Sequence, residues 1–135
     1  MDKPVELLQN SEPLPTPRLA VLQRRSEFLR VADARRKFAV PGLVLQVYER
    51  REATGPARLG FTASKKVGNS VARNRARRRL REAAWRLVGK HGLEGHDYVL
   101  IAREATLERP WPDLLTDLQA AMKRLKAWND KGLVE

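Results

Sequence analysis

Cysteine is absent from this chain of 135 residues, and aromatic side chains make up only 6% of it. Without cysteine there are no disulfide bonds, Cys-ligated zinc sites, iron–sulfur clusters or cysteine nucleophiles. No apolar run approaches the roughly 18 residues of a transmembrane helix, and no signal-peptide pattern opens the chain. We therefore expect a cytoplasmic protein with no membrane partner. The length fits a single domain.

Acidic residues are the scarcer charged type, 16 against 27 basic ones, and the net charge is +11. The excess is clustered, because residues 18–37 contain seven basic and two acidic side chains and residues 65–90 contain ten and one. The rest of the chain is slightly acidic. Nineteen of the basic residues are Arg, whose planar group matches phosphate and stacks on bases. This distribution indicates a polyanionic partner, most often a nucleic acid.

The apolar pattern predicts an α+β domain with the order α-β-β-(β)-α-β-α. We expect residues 1–17, which contain four prolines, to form a disordered tail and residues 18–130 to form the domain. The predicted elements are a helix from Leu19 to about Ala32, strands at 37–40, 43–48, 58–64 and 98–102, and helices at 71–89 and from Pro110 onward. The strands at 43–48 and 58–64 are expected to pair as an antiparallel hairpin. The apolar run at 98–102 predicts a buried central strand.

The helix predicted at 71–89 carries most of the charge. At about 100° per residue, its apolar residues fall in one arc of roughly 120°, which we expect to be buried: Ala72, Ala76, Leu80, Ala83, Ala84 and Leu87. Six arginines lie between Arg73 and Arg81, and only Glu82 is near enough to pair, through Arg78. Positive charge in the first turn also opposes the helix dipole. Because these two effects destabilise the helix, we interpret the arginines as a binding surface for an external polyanion and not as a solvated charged face.

The turn Gly68-Asn69-Ser70 supplies N-cap residues for this helix. Its backbone amides, with Lys65 and Lys66 just before them, could bind a phosphate.

The run from Ser64 to Glu82 resembles the signature of the bacterial ribonuclease P protein subunit. That family has a Gly-Phe-x-x-Ser-Lys-Lys strand end, then Gly-Asn and an Arg-Asn-Arg triplet that opens a basic helix. Here these motifs are Gly60-Phe61, Ser64-Lys65-Lys66, Gly68-Asn69 and Arg73-Asn74-Arg75. The resemblance continues through 22–31, 43–47 and 97–103, and covers about residues 19–126.

The resemblance implies a two-layer α/β sandwich with a left-handed βαβ crossover, the ribosomal protein S5 domain 2-like fold. The general rule for such crossovers favours the right hand in about 98% of cases. The resemblance also implies the function. The chain would be the protein component of the endoribonuclease ribonuclease P, which removes the 5′ leader of precursor tRNA. The RNA subunit, with bound Mg²⁺, would perform the hydrolysis, and the protein alone would be inactive. No small-molecule substrate is expected.

Site residues follow from the matched positions. The resemblance implies that Arg73, Asn74, Arg75, Arg77, Arg78, Arg79, Arg81, Lys65 and Lys66 face the RNA subunit. A cleft between the first helix and the sheet would hold the leader, with Phe28, Arg24, Arg25 and Gln46. Ala32 and Gln46 stand where the family often has aromatic residues. We therefore expect leader binding to depend more on charge and less on base stacking.

Several side chains have a structural alternative. Phe28 is equally consistent with core packing and with leader stacking, and Phe61 is better explained by the core. Trp85 lies away from the apolar arc, where packing, RNA contact and a protein–protein patch all remain open. We expect Trp111 and Trp128 to pack and His91 and His96 to lie at the surface. The carboxylates of Asp33, Glu49, Glu52 and Glu82 are too scattered to suggest a nuclease metal pair.

Three other functions compete. A ribosomal or other structural RNA-binding protein would have the same composition, and only the motif from Lys65 to Glu82 distinguishes it. A stand-alone metal-dependent ribonuclease would need an acidic cluster. A membrane-surface helix would need a larger apolar face than the alanine-rich arc provides.

Overall fold

The computed structural model describes residues 19–52 and 54–131. Along the chain it contains β1 (Leu19–Val21), α1 (Arg25–Asp33), β2 (Lys37–Val40), β3 (Leu43–Glu49), β4 (Ala57–Thr62), α2 (Ser70–His91), β5 (His96–Ala102), a short 3₁₀ helix (Glu104–Leu107) and α3 (Trp111–Arg124). The α+β class and the two long helices are as predicted. The tail predicted at residues 1–17 lies outside the described residues.

The five strands form one sheet in the order β1-β4-β5-β3-β2. β5 is the central strand, as its apolar run predicted. It pairs antiparallel with β3 and parallel with β4, so the predicted hairpin between β3 and β4 is wrong. The physical reason is that β5 is buried along almost its whole length and gains most from neighbours on both edges. α2 supplies the long crossover that joins the parallel strands β4 and β5.

The predicted helix at Leu19 is also wrong at its start. Residues Leu19–Val21 form a strand parallel to β4, with Leu19 opposite Ala57 and buried in the main core. α1 begins at Arg25, where the Glu27 carboxylate accepts hydrogen bonds from the backbone N–H groups of Gln23 and Arg24 at 2.8 and 2.9 Å. These two hydrogen bonds are the main reason why the pKa of Glu27 is lowered. Edge pairing and this N-terminal cap outweigh the helical spacing of the apolar residues.

The two faces of the sheet are covered differently. α2 and α3 pack on one face and form the main core, in which Leu45, Leu80 and Leu118 are fully buried. α1 packs on the other face, where Val31 closes a smaller apolar cluster with Leu22 and Val99. One short helix cannot cover five strands, so part of this second face stays open.

Candidate nucleic-acid interface

α2 begins with the predicted cap. The side-chain oxygen of Asn69 accepts a hydrogen bond from the Ala72 backbone N–H at 2.9 Å, which satisfies one of the free donors of the first turn. Four of the six residues of the predicted arc are buried, namely Ala76, Leu80, Ala83 and Ala84, and Val88 joins them. The other two, Ala72 and Leu87, are only half-buried. The small side chains allow the helix backbone to approach the sheet closely. The first turn contains no acidic residue, so its positive charge has no local compensation.

The arginines of α2 divide into an outward set and an internally bonded set. Asn74, Arg75, Arg78 and Arg81 are exposed. Arg73 is half-buried and donates to the Gly68 carbonyl at 3.1 Å, and Arg77 donates to the Asn74 side chain. The outward set is therefore presented to solvent by the first three turns of the helix.

Arg79 differs from its neighbours. Its guanidinium donates to the backbone carbonyls of Thr106, Leu107 and Arg109 and lies 5.8 Å from the ring centre of Trp111. The structure therefore assigns Arg79 to the contact between α2 and the segment before α3. The helical periodicity of the sequence does not predict this internal contact.

The pairing predicted for Glu82 is also corrected. Its carboxylate lies 3.7 Å from the guanidinium of Arg86, not beside Arg78. Since both partners are largely exposed, the pair contributes little to stability. Arg78 has no carboxylate within salt-bridge distance among the described residues.

The loop between β4 and α2 adds two exposed lysines, Lys65 and Lys66. A cavity of about 540 Å³ opens beside this loop and is lined by Ser64, Lys66, Val67 and Arg103, among others. The predicted lysines thus lie at the N-terminal end of α2, next to its arginine face.

The predicted leader residues lie on the other face of the sheet. A methyl group on Gly60 of β4 would stand 2.5 Å from the Phe28 ring, so Phe28 of α1 rests directly on the strand. Gly60 pairs with Val99, which pairs with Gln46, and Gln46 is therefore two strands away on the same face. Arg24 and Arg25 are exposed at the start of α1. Phe28 and Gln46 therefore lie on the same face of the sheet, with Arg24 and Arg25 at the start of the helix that packs on it.

A second arginine cluster on this face was missed by the sequence reasoning. A cavity of about 350 Å³ is lined by Arg30, Tyr48, Arg50, Arg51, Glu52 and Arg58. The fully buried Asp97 holds two of these arginines, with Arg50 at 2.6 Å and Arg58 at 2.8 Å. Hydrogen bonding to Asp97 is the main cause that raises the pKa of Arg58. In the sequence, the only sign of this cluster is the adjacent pair Arg50-Arg51, which follows β3.

The remaining aromatic and histidine predictions have mixed outcomes. Phe61, Trp111 and Trp128 pack against the main core, as expected. The prediction for His96 is wrong, because β5 begins at this residue and buries it to 8% exposure. His91 is half-buried and stacks on Trp128, with ring centres 3.8 Å apart.

Within residues 19–52 and 54–131, no group of three His, Asp or Glu side chains is arranged to hold a metal ion. None of the helices in these ranges is long and apolar enough to cross a membrane.

Comparison with known proteins agrees with the resemblance. The sequence model of the family described as Ribonuclease P matches residues 16–126. Over 113 residues, the chain is 56% identical to the ribonuclease P protein component of Paramagnetospirillum magneticum, with 82% of this chain and 85% of that protein covered. It is 50% identical over 113 residues to the protein of the same name from Ruegeria pomeroyi, with 81% and 88% covered.

Solved structures show the same fold. The RNase P protein of Staphylococcus aureus superposes with a TM-score of 0.68 at 27% identity, over 81% of this chain and 97% of that one. The RNase P protein of Thermotoga maritima, at 22% identity, superposes with a TM-score of 0.61 over 76% and 94% of the two chains. The sequence matches and the shared fold lead to one conclusion: this chain belongs to the ribonuclease P protein family.

Proposed function

We propose that this chain is the protein subunit of a ribonuclease P ribonucleoprotein and assists removal of the 5′ leader from precursor tRNA. The RNA subunit would bind along the exposed arginine face of α2 and the lysines before it. The leader would bind across the sheet, in the cleft beside α1. The observation that carries the proposal is the uncompensated positive charge of the outward α2 arginines, on a helix whose opposite side packs against the rest of the protein.

The geometry of α2 supports RNA as the partner. Arg75, Arg78 and Arg81 are exposed, and clustered arginines bind phosphates and release counterions from RNA. Arg73 is held by the Gly68 carbonyl at the start of the helix, which keeps its charge near the free amides of the first turn. We place Arg79 outside this set, because its guanidinium already donates to three backbone carbonyls.

The cleft beside α1 supports a single-stranded leader. Phe28 is half-buried against Gly60, which leaves part of its ring for stacking on a base. Gln46 adds an amide on the same face, while Arg24 and Arg25 supply charge at one end. Ala32 and Gln46 provide no aromatic surface, so electrostatic contacts would dominate leader affinity.

We assign the chemistry to the RNA subunit. The described residues form no cluster of metal-ligating side chains, and we therefore place the Mg²⁺ ions on the RNA and assign no hydrolytic step to a protein side chain. The role of the protein is to bind and orient RNA in the cytoplasm.

The proposal is tested by cleavage of precursor tRNA at low magnesium with the RNA subunit, with and without this protein. We expect cleavage to be faster with the protein and absent with the protein alone. An RNA subunit that is not stimulated would overturn the assignment, and cleavage without added RNA would indicate a stand-alone nuclease.

A second measurement locates the interface. Arg75→Ala should weaken binding of the RNA subunit and reduce the slope of log affinity against log salt by about 0.7 to 0.9, the value for one phosphate contact. Lys131→Ala serves as the control, because it also removes one positive charge but lies outside α2, at the C-terminal end of the described residues. Equal slopes for Arg75→Ala and the control would contradict the proposed docking face.

A further inference from the structure

Trp85 is the largest apolar side chain that the described part of the molecule leaves exposed, with 49% of its surface accessible. It lies in the fifth turn of α2, beyond the arginines of the family motif. At about 100° per residue, its position is nearly opposite the buried residues Ala76, Leu80 and Ala83. The exposed half of the indole is therefore accessible to a binding partner.

The other two tryptophans already have partners within the protein. Trp111 lies under Arg79 and Arg86, whose guanidinium carbons are 5.8 and 5.7 Å from its ring centre. Trp128 stacks on His91 and receives Lys123 at 5.3 Å. Within the described residues, Trp85 has neither an aromatic nor a cationic partner of this kind, and it does not belong to the buried or partly buried residues of the two apolar clusters.

The neighbours of Trp85 on the helix surface identify the kind of partner. Arg81 lies four residues before it and Arg78 seven residues before it, so all three follow one line along the exposed side. The line rises about 10 Å from Arg78 to Trp85. It is therefore continuous with the arginine face to which the proposed function assigns the RNA subunit.

A second protein copy is a poorer occupant of this surface. Residues 65–90 carry ten basic side chains and one acidic side chain, and two such helices placed face to face would repel each other. The adjacent Arg81, Glu82 and Arg86 are charged and exposed, which leaves one isolated indole instead of an apolar patch. A nucleobase fits better, because its ring needs only one flat partner and its phosphate meets the neighbouring arginines.

We propose that Trp85 stacks on an unpaired nucleobase of the RNA subunit and extends the docking surface by about one turn of α2 beyond Arg81. The inference rests on the proposed function. It assigns Trp85 a stacking contact that is independent of the phosphate contacts of Arg75 and Arg78.

The test measures affinity for the RNA subunit across a salt series with three variants of the full chain. Trp85→Ala and Trp85→Leu should weaken binding roughly tenfold or more, within the range for loss of one base–aromatic stack, with an unchanged salt slope. Trp85→Phe should retain most of the affinity because it keeps an aromatic ring. Arg75→Ala, which should change the slope, is the matched variant on the phosphate side.

Each result has a separate meaning. Unchanged affinity for Trp85→Ala, with Arg75→Ala impaired, would overturn the stacking inference and leave the proposed function intact. Unchanged affinity for both would contradict the docking face itself. Equal losses for Trp85→Phe and Trp85→Leu would show that stacking is not the contribution.

Fluorescence and sedimentation complete the experiment. The emission of Trp85, obtained as the difference between the wild-type protein and Trp85→Phe, should be quenched when the RNA subunit is added. A concentration-dependent dimer that disappears in Trp85→Ala would instead identify a protein–protein surface and overturn the inference.

Discussion

Phe28 lies against the backbone of Gly60, so closely that a methyl group on Gly60 would stand 2.5 Å from Cε2 and 2.7 Å from Cζ of its ring. The glycine of the Gly-Phe motif thus provides the space in which the proposed leader-binding ring rests. Leu22 Cδ1 would also lie at 3.0 Å from that methyl group. A side chain at this position would therefore have to displace the ring or move α1.

The first prediction concerns this contact. Gly60→Ala should lower the free energy of unfolding by about 1 to 3 kcal/mol, because overpacking forces neighbouring side chains out of their preferred positions. Urea denaturation measures the loss. In a Phe28→Ala background the same substitution should cost much less, since the ring that it displaces is gone. A cost that is additive with that of Phe28→Ala would show that the two residues are not coupled.

The second prediction concerns the buried carboxylate of Asp97. Asp97→Asn should destabilise the fold by about 3 to 5 kcal/mol, because Arg50 would remain partly buried without a carboxylate and Arg58 would keep only its pair with Glu27 at 3.2 Å. Glu82→Gln is the matched control, since its pair with Arg86 is exposed and spans 3.7 Å; it should change stability by less than about 0.5 kcal/mol. Similar losses of stability in chemical denaturation for the two variants would show that Asp97 does not hold Arg50 and Arg58 as a stabilising clamp.

The third prediction separates Arg79 from its neighbour Arg78. Arg79→Ala should destabilise the protein by roughly 1 to 3 kcal/mol, because the carbonyls of Thr106, Leu107 and Arg109 lose their donor. It should leave the salt slope for RNA binding unchanged. Arg78→Ala should do the reverse, with little effect on stability and a smaller slope. Thermal unfolding and RNA titrations across a salt series test both variants. A smaller salt slope for Arg79→Ala would contradict the prediction, because it would show that Arg79 contacts a phosphate.

The fourth prediction concerns alkaline stability. Burial raises the pKa of Tyr98 to about 12, whereas the pKa of an unfolded tyrosine is about 10. Below pH 10 the phenol is protonated in both states and the full stabilisation is present. Between pH 10 and 12 the unfolded state loses its proton first, so the free energy of unfolding falls as pH rises.

Tyr98→Phe should remove this part of the pH dependence. It should also lower stability near neutral pH by roughly 1 to 3 kcal/mol, because the hydroxyl donates to the Ala127 carbonyl and accepts from the Leu93 N–H at 2.8 and 2.9 Å. Denaturation at pH 8 and pH 11 tests the prediction, with Tyr48→Phe as the half-exposed control. An unaltered difference between the two pH values in Tyr98→Phe would contradict it.

The sequence by itself determined much of this protein, because some features depend only on neighbouring residues. The apolar arc and the Asn69 cap of α2 follow from helical periodicity, and the burial of β5 follows from its unbroken apolar run. The family follows from a motif within about twenty residues. The clustering of basic residues by itself indicates a polyanionic partner.

The tertiary structure decided what depends on residues far apart in the chain. It placed β5 between β3 and β4, and it made Leu19–Val21 an edge strand through pairing with β4. It also removed Arg79 from the exposed face by bringing it to carbonyls 27 to 30 residues away, and it assembled Arg50, Arg58 and Asp97 into one clamp. Periodicity indicates which side of a helix faces outward, but only the packing of distant segments decides which arginines are already bonded and which remain free for RNA.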